Sequence, residues 1–206
     1  MEQMQILLAI LVLLPFVSAL LLALCGSDRM RRLVVYGSAG VLMISAVAFA
    51  VCFFSGENLQ LRFLQSGGII DHTMLALEAG FAVLITVLSI KYRRYYVAVL
   101  SIVQTVLTFV YELGGYKPAV QPYNLFTDQL TVIMVLIIAV VGTLITVYAV
   151  GYMRDYHNHH KEYTDRRRFF FAMLYVFLGA MFGLVLSNSL LWLYFFWEIT
   201  SLVSFL

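Results

Sequence analysis

Glu198 is the only charged residue in an apolar and aromatic segment that runs from Leu190 to Leu206. A segment of this composition is typical of a membrane-spanning helix. A carboxylate near the centre of a bilayer costs roughly 2.5–3.5 kcal/mol, so such residues usually face a protein interior or a water path and take part in function. Tyr194 precedes Glu198 by four residues and Ser201 follows it by three. A helix therefore places both hydroxyl groups beside the carboxyl group, as a polar stripe.

The chemistry open to this stripe is uptake and release of a proton. Desolvation favours the neutral form of a carboxyl group, and a nearby cation favours the charged form. A cation that moves relative to Glu198 would therefore drive proton exchange. The apolar segments contain no Lys or Arg for this purpose, so either the cation lies beyond Leu206 or Glu198 acts alone. The alternative is a structural glutamate that forms hydrogen bonds between helices.

The composition indicates which elements must position Glu198. Hydrophobic residues make up 63% of the 206 residues and charged residues 12%, a composition that excludes a soluble domain. Only helices satisfy their own backbone groups in spans of this length, which predicts an all-α, polytopic transmembrane bundle. The first apolar segment has no preceding basic residue and no clear cleavage site, so it is interpreted as a retained span. About seven spans are predicted, over residues 4–25, 33–54, 73–90, 95–113, 127–153, 169–187 and from 189 to the end.

The basic residues predict the orientation of these spans. Of the 13 Lys and Arg residues, all except Arg62 and Lys117 lie in three alternate breaks, 26–32, 91–94 and 154–168. The positive-inside rule makes these breaks cytoplasmic and the N-terminus external. The net charge of +2 then reflects topology and gives no reason to expect nucleic-acid binding.

Several other ionisable residues are secondary candidates. Glu78 lies inside the third span, where it either reaches the outer interface or faces a helix partner. Asp128 opens the fifth span, where a helix cap is expected, and both acids are candidates for supporting an ion path. The inner break holds three histidines, which indicate a docking surface, a topology anchor or a proton entry point; no metal site is predicted, because no Cys is near. They are His157, His159 and His160.

The last 80 residues or so resemble a known family. The succession Asp128-Gln-Leu, Gly151-Tyr-Met, Arg168-Phe-Phe-Phe and Leu186-Ser-Asn-Ser-Leu-Leu-Trp-Leu-Tyr-Phe-Phe-Trp-Glu-Ile-Thr-Ser resembles the antiporter-like subunits shared by respiratory complex I, Mrp cation/proton antiporters and membrane-bound hydrogenases. The Trp197-Glu198 pair is the most specific mark. The His-rich break followed by Arg-Phe-Phe-Phe resembles most closely the large antiporter-like subunit of Ech-type energy-converting hydrogenases.

The resemblance implies that Glu198 pairs with a lysine two helices later and that the pair passes protons or Na⁺ when a linked redox reaction shifts the electrostatics. The lysine-bearing region is absent from these residues, so we expect a fragment or the product of a split gene. Two spans at about 73–113 are interpreted as an insertion, which divides the chain into N-terminal helices, 1–115, and the start of an antiporter-like core, 116–206.

Three functions follow as alternatives. The first is an ion-translocating subunit of a ferredoxin-linked hydrogenase or complex I relative in the plasma membrane of a prokaryote. The chain has no redox motif, nucleotide loop or Cys cluster, so iron–sulfur clusters and a nickel–iron site would belong to partner subunits. The second is a subunit of an Mrp-type cation/proton antiporter. The third is a membrane scaffold that transports nothing.

Overall fold

The computed structural model describes residues 2–24, 26–56, 61–65, 69–113, 123–159 and 165–205. They form helices α1 (Glu2–Leu24), α2 (Asp28–Phe54), α3 (Ile69–Lys91), α4 (Tyr95–Leu113), α5 (Gln129–Ile137), α6 (Thr143–His159), α7 (Arg167–Leu186) and α8 (Leu190–Phe205), with a π-helical segment at Ile138–Gly142 and strands β1 (Leu61–Gln65) and β2 (Tyr123–Thr127). The chain divides into two compact units, Met1–Phe63 with Leu125–Leu206, and Leu64–Asn124.

The predicted all-helical membrane bundle is confirmed. Each predicted span coincides with a helical segment, and α5, the π segment and α6 together form the fifth. Within the described residues, five of these segments are long and apolar enough to cross a membrane. The other two, α4 and α8, have 19 and 16 residues. At 1.5 Å per residue, α8 extends about 24 Å, somewhat less than the roughly 30 Å hydrocarbon core of a bilayer.

Helix α7 is the central element of the first unit. It packs against α1, α8 and α5, and half of its apolar window is buried, the largest share among the five candidate spans. Its side chains Phe171 and Tyr175 join a core cluster with residues of α1, α2 and α6. The other buried members of this cluster are Ala19, Leu22, Val35 and Ala149.

The fifth span is interrupted by the π-helical segment, which the sequence did not predict. Here the Thr143 hydroxyl donates hydrogen bonds to the carbonyl groups of Ala139, at 2.5 Å, and Val140, at 3.3 Å. Gly142 ends the segment, and a Cβ atom there would lie 2.4 Å from Cδ1 of Leu178 on α7. Glycine therefore lets the widened turn approach α7 closely. Such π segments are rare in proteins, but those that occur often lie at functional sites.

Strands β1 and β2 form a two-stranded sheet, which the sequence did not predict either. Strand β2 contains Tyr123, Phe126 and Thr127, which are aromatic or β-branched residues of the kind that suit extended backbone. Within the first unit, Leu125 of β2 also forms an antiparallel bridge with Ser187, in the turn between α7 and α8. The bridge holds the start of the fifth span beside the start of α8.

The second unit contains the hairpin of α3 and α4. Its turn is closed by hydrogen bonds from the Arg94 amide to the Ser89 carbonyl, at 2.8 Å, and from the Arg93 amide to the Ile90 carbonyl, at 3.0 Å. Arg93 has a φ of 56°, the left-handed conformation that glycine usually supplies at such a helix end. The pair of spans interpreted as an insertion lies within this unit, and the division at residue 115 stays a prediction.

Candidate functional site

Glu198 lies on α8, which packs along α7. The approach of the two helices depends on Gly183 of α7, where a Cβ atom would lie 2.4 Å from Cζ of Phe196. Because non-bonded carbon atoms rest about 3.5–4.0 Å apart, only glycine fits at this position. The side chains that α8 buries are Leu191, Trp192, Phe195, Phe196 and Ile199.

The Glu198 side chain stands at the border between the buried and exposed sides of α8. Ile199 beside it is buried, whereas Trp197 is 58% exposed. The Glu198 side chain is partly buried, and its Oε2 atom is fully buried. Its α-carbon lies eight residues after Leu190, or about 12 Å along the helix axis. The carboxyl group is therefore near the middle of α8 and reaches the protein interior.

The polar stripe predicted around Glu198 follows the same border. Tyr194 is partly buried and Ser201 is exposed. This arrangement matches the periodicity of a helix, which turns Tyr194 and Ser201 slightly away from the buried side. Their participation in an ion path stays a prediction.

Asp128 forms the helix cap that its position predicted. Its Oδ1 accepts a hydrogen bond from the backbone amide of Thr131 at 2.8 Å. The backbone and side chain of Thr131 both stabilise the carboxylate and hold the pKa of Asp128 below its ordinary value of 3.8. Asp128 is therefore charged at neutral pH, at the end of the first unit where α8 begins.

His157 and His159 lie in the last turn of α6. His157 is partly buried, and the exposed His159 has its Nδ1 atom 2.8 Å from the Asp155 carbonyl oxygen. His160 falls outside the described residues. Across the ranges that the structure describes, no three His, Cys, Asp or Glu side chains are grouped so that they could hold a metal ion. Docking or proton entry at this end of α6 stays a prediction.

Glu78 lies on α3 in the second unit and is only 2% exposed. Of the two alternatives for this residue, burial favours the one in which it faces a helix partner. A carboxyl group that reached the membrane surface would keep contact with water.

A buried hydroxyl cluster in the first unit escaped the sequence analysis. The Ser38 Oγ of α2 lies 2.7 Å from the Tyr175 hydroxyl of α7, and both residues are buried. Ser38 also donates to the Val34 carbonyl at 2.6 Å, and Tyr175 donates to the Val35 carbonyl at 3.1 Å. Thr146 of α6 interacts with the same tyrosine. Each hydroxyl group can donate one hydrogen bond and accept others, so the cluster links α2, α6 and α7 by polar contacts inside the first unit.

An ion-pair network joins the starts of α2 and α7. Asp28 contacts the buried Arg31, and its Oδ2 atom lies 3.3 Å from Nη1 of Arg167. The Nη2 atom of Arg167 lies 2.6 Å from Oδ2 of Asp165. The hydrogen bonds from Arg167 hold the pKa of Asp165 well below its usual range. The Arg31 guanidinium also lies 5.7 Å from the centre of the Phe171 ring. The network fastens α2 to α7 at the end that the basic residues predict to be cytoplasmic.

Comparison with known proteins gives two kinds of match. A family described as the N-terminus of chain 5 of NADH-ubiquinone oxidoreductase (complex I) matches residues 121–170. The match covers β2, the Asp128 cap, the whole fifth span and the start of α7, and it ends before Glu198.

The chain is also similar to antiporter subunits. The Na(+)/H(+) antiporter subunit A1 of Staphylococcus haemolyticus (strain JCSC1435) is 32% identical over 112 residues, which cover 54% of this chain and 13% of the relative. The subunit A1 of Staphylococcus aureus (strain JH9) is 27% identical over 151 residues, which cover 66% of this chain and 18% of the relative. The chain thus spans less than a fifth of these relatives. Together the matches confirm the resemblance to antiporter-like membrane subunits.

Proposed function

We propose that this chain, a member of the antiporter-like membrane subunit family, contributes to the translocation of protons or Na⁺ across the plasma membrane of a prokaryote. The observation that supports this function best is the partly buried Glu198 near the middle of α8, in a chain whose fifth span and start of α7 match the family. A carboxyl group in that position binds a proton or a cation at low cost and releases it when the local charge changes.

We infer that this translocation is linked to a redox reaction, in an energy-converting hydrogenase or a complex I-like assembly. The description of the matching family, which names complex I, supports this version. The metal centres of such an assembly would lie on partner subunits. The named antiporter relatives support the second candidate equally well, a subunit of an Mrp-type cation/proton antiporter that needs no redox partner.

The two versions differ in what accompanies the chain. A redox-linked subunit purified gently from membranes should bring along iron–sulfur and nickel-containing proteins, and adding a reductant should build a pH gradient in vesicles. An antiporter subunit should bring along only membrane subunits, and an imposed Na⁺ gradient should drive proton movement without a reductant.

Glu198→Gln tests the shared part of the proposal. Gln keeps the size and the hydrogen-bonding end of the side chain but cannot titrate, so assembly should survive while ion movement falls to the background of empty vesicles. Asp155→Asn is the control, because it removes an exposed carboxylate elsewhere in the same unit. A structural glutamate predicts otherwise: Gln still bridges helices for about 0.6 kcal/mol, and transport would persist. Normal ion movement in Glu198→Gln would remove this residue from the mechanism and favour a scaffold.

A further inference from the structure

The turn between α3 and α4, with the helix ends that flank it, collects basic and aromatic side chains at one end of the second unit. This Lys91–Tyr96 segment comprises three cations and three tyrosines, and none of its residues is acidic. All six residues are exposed, and Tyr92, Tyr95 and Tyr96 are 68%, 61% and 64% exposed. Tyrosine is enriched at membrane–water interfaces, because its ring is apolar and its hydroxyl group is polar. The segment therefore has the composition of a surface that meets lipid headgroups.

The backbone of this segment is held in one conformation. The buried Ser89 hydroxyl donates to the Arg94 carbonyl, and the Val97 amide donates to the same carbonyl at 3.0 Å. These hydrogen bonds add to the two that close the turn. Arg93 adopts its positive φ of 56° although this conformation favours glycine, and strained residues of this kind occur most often at functional sites. A segment that is already fixed also loses little conformational freedom when it binds a ligand.

The length of α3 places the segment at a membrane surface. The candidate span of this helix, His72–Lys91, has 20 residues, or about 30 Å, which equals the thickness of the hydrocarbon core of a typical bilayer. The exposed side chains that border the segment are apolar and include Val87, Ile90 and Val99. The basic and aromatic residues therefore adjoin a surface that faces acyl chains, and they lie at the level of the phosphate groups.

The positive charge of the segment is not balanced by nearby acids of the hairpin. The nearest acidic residues in the sequence are Glu78, 13 residues before Lys91, and Glu112, 16 residues after Tyr96. These separations are about 20 Å and 24 Å along the helices. The Debye length at physiological ionic strength is about 8 Å, so these acids do little to neutralise the segment at its exposed surface. A negatively charged ligand is therefore favoured there.

An anionic phospholipid fits these features better than a soluble anion does. Guanidinium and ammonium groups donate several hydrogen bonds to phosphate oxygens, and such charge-assisted bonds are strong. The tyrosine rings need an apolar neighbour, which the upper part of an acyl chain supplies. A soluble anion such as inorganic phosphate would satisfy the cations and leave the rings in water. Clusters of basic residues at the ends of membrane helices are known to bind anionic headgroups in this way.

We propose that the Lys91–Tyr96 segment binds the headgroup phosphate of an anionic phospholipid, with Lys91, Arg93 and Arg94 as the phosphate-binding groups and the tyrosine rings against the start of the acyl chains. The site belongs to the second unit alone and is the same on whichever side of the membrane the turn lies. It goes beyond the proposed ion translocation and does not depend on it. A bound headgroup would fix the depth of the α3–α4 hairpin in the bilayer.

Photocrosslinking of the full chain in proteoliposomes tests the proposal. The probes are phosphatidylglycerol and phosphatidylcholine with the same photoactivatable group near the start of one acyl chain, and mass spectrometry quantifies the crosslinks within residues 91–96. One basic side chain near an anionic surface changes binding about fivefold, so the wild type should prefer phosphatidylglycerol roughly tenfold or more. Lys91→Gln/Arg93→Gln/Arg94→Gln should lose most of this preference. Equal crosslinking of the two lipids in the wild type, or an unchanged preference in the variant, would overturn the proposal.

Two control variants separate a lipid site from a general effect of charge. Arg29→Gln/Arg32→Gln/Arg166→Gln removes the same charge from exposed arginines of the first unit and should leave the preference at residues 91–96 unchanged. Arg93→Lys/Arg94→Lys keeps the charge of the segment and should retain most of the preference. If the first-unit variant lost the preference as fully as the variant of the segment, the crosslinks would report only net charge and the proposal would fail.

A further measurement uses the wild-type protein and does not depend on how any variant folds. Inorganic phosphate added at constant ionic strength should leave the phosphatidylglycerol crosslinks within residues 91–96 unchanged, because the lipid is held by its acyl chains as well as by its phosphate. Displacement of the lipid by inorganic phosphate would show that the segment binds a free anion, and it would refute the assignment to a phospholipid.

Discussion

Gly183→Ala should separate α8 from α7 and lower the stability of the first unit. The added Cβ atom would lie 2.4–2.5 Å from three carbon atoms of the Phe196 ring. The ring cannot simply turn away, because it is buried and its centre lies 5.4 Å from that of Phe195 and 6.2 Å from that of Trp192. Forcing an extra methyl group into such a site costs about 1–3 kcal/mol.

Part of this cost is offset, because alanine favours a helix over glycine by about 1 kcal/mol. We therefore expect Gly183→Ala to lower the free energy of unfolding by up to roughly 2 kcal/mol. Gly40→Ala is the matched control. A Cβ atom at Gly40, on α2, meets nothing within 4 Å. The free energy of unfolding of this variant should therefore rise by up to about 1 kcal/mol.

The assay is denaturant unfolding of the purified chain in detergent micelles, followed by circular dichroism. A double-mutant cycle with Phe196→Leu should show that the smaller side chain recovers much of the loss caused by Gly183→Ala. If Gly183→Ala gained stability as Gly40→Ala does, the packing of α8 against α7 would be wrong, and with it the placement of Glu198.

Three further predictions concern local features. Asp128→Ala removes the cap on α5 and should lower the free energy of unfolding by about 1 kcal/mol in the same assay. Asp128→Ser keeps a capping oxygen and should retain most of the wild-type stability. Because the folded-state pKa of Asp165 is depressed, its contribution to stability is present above the ordinary value of 3.8 and is lost as the pH falls through the folded-state pKa. Asp165→Asn should therefore be less stable than wild type at neutral pH and lose less stability in acid, and equal acid sensitivity would contradict the ion pair. Arg93→Gly should be neutral or stabilising in thermal unfolding, whereas Arg93→Val should cost about 1–2 kcal/mol, because only glycine adopts a positive φ freely.

The positions of the spans could be predicted from the sequence because insertion of a helix into lipid depends on a local property, the run of apolar residues. The Asp128 cap was predictable for the same reason, since the donor amide lies only three residues away. The pairing of β1 with β2 was not predictable, because it joins segments far apart in the chain. Gly142, which ends the π segment, packs closely against Leu178 of α7, and no local sequence pattern predicts a contact between separate helices.

In the candidate site, too, the features set by local sequence could be predicted, and those set by contacts between distant segments could not. Glu198 stands out because one charge in an apolar run is a signal in the sequence itself. Ser38 and Tyr175 are 137 residues apart, and each alone resembles an ordinary polar residue of a membrane helix. Burial at Glu78 depends on how α3 and α4 pack, and the sequence therefore left two alternatives for it. His160 lies outside the described residues, so the expectation for the three histidines remains open.

The geometry of α7 bears on how a change at one end of the first unit could reach Glu198. Helix α7 carries both Tyr175, in the hydroxyl cluster, and Gly183, which contacts Phe196 two residues before Glu198. Close contacts at Leu178 and Gly183 leave little space for α7 to slide, because each would become a clash. The hydroxyl protons are less restricted, since Ser38 can donate to Val34 or to Tyr175 without moving any heavy atom. Reorientation of these hydroxyl groups therefore requires less disruption of packing than a shift of α7.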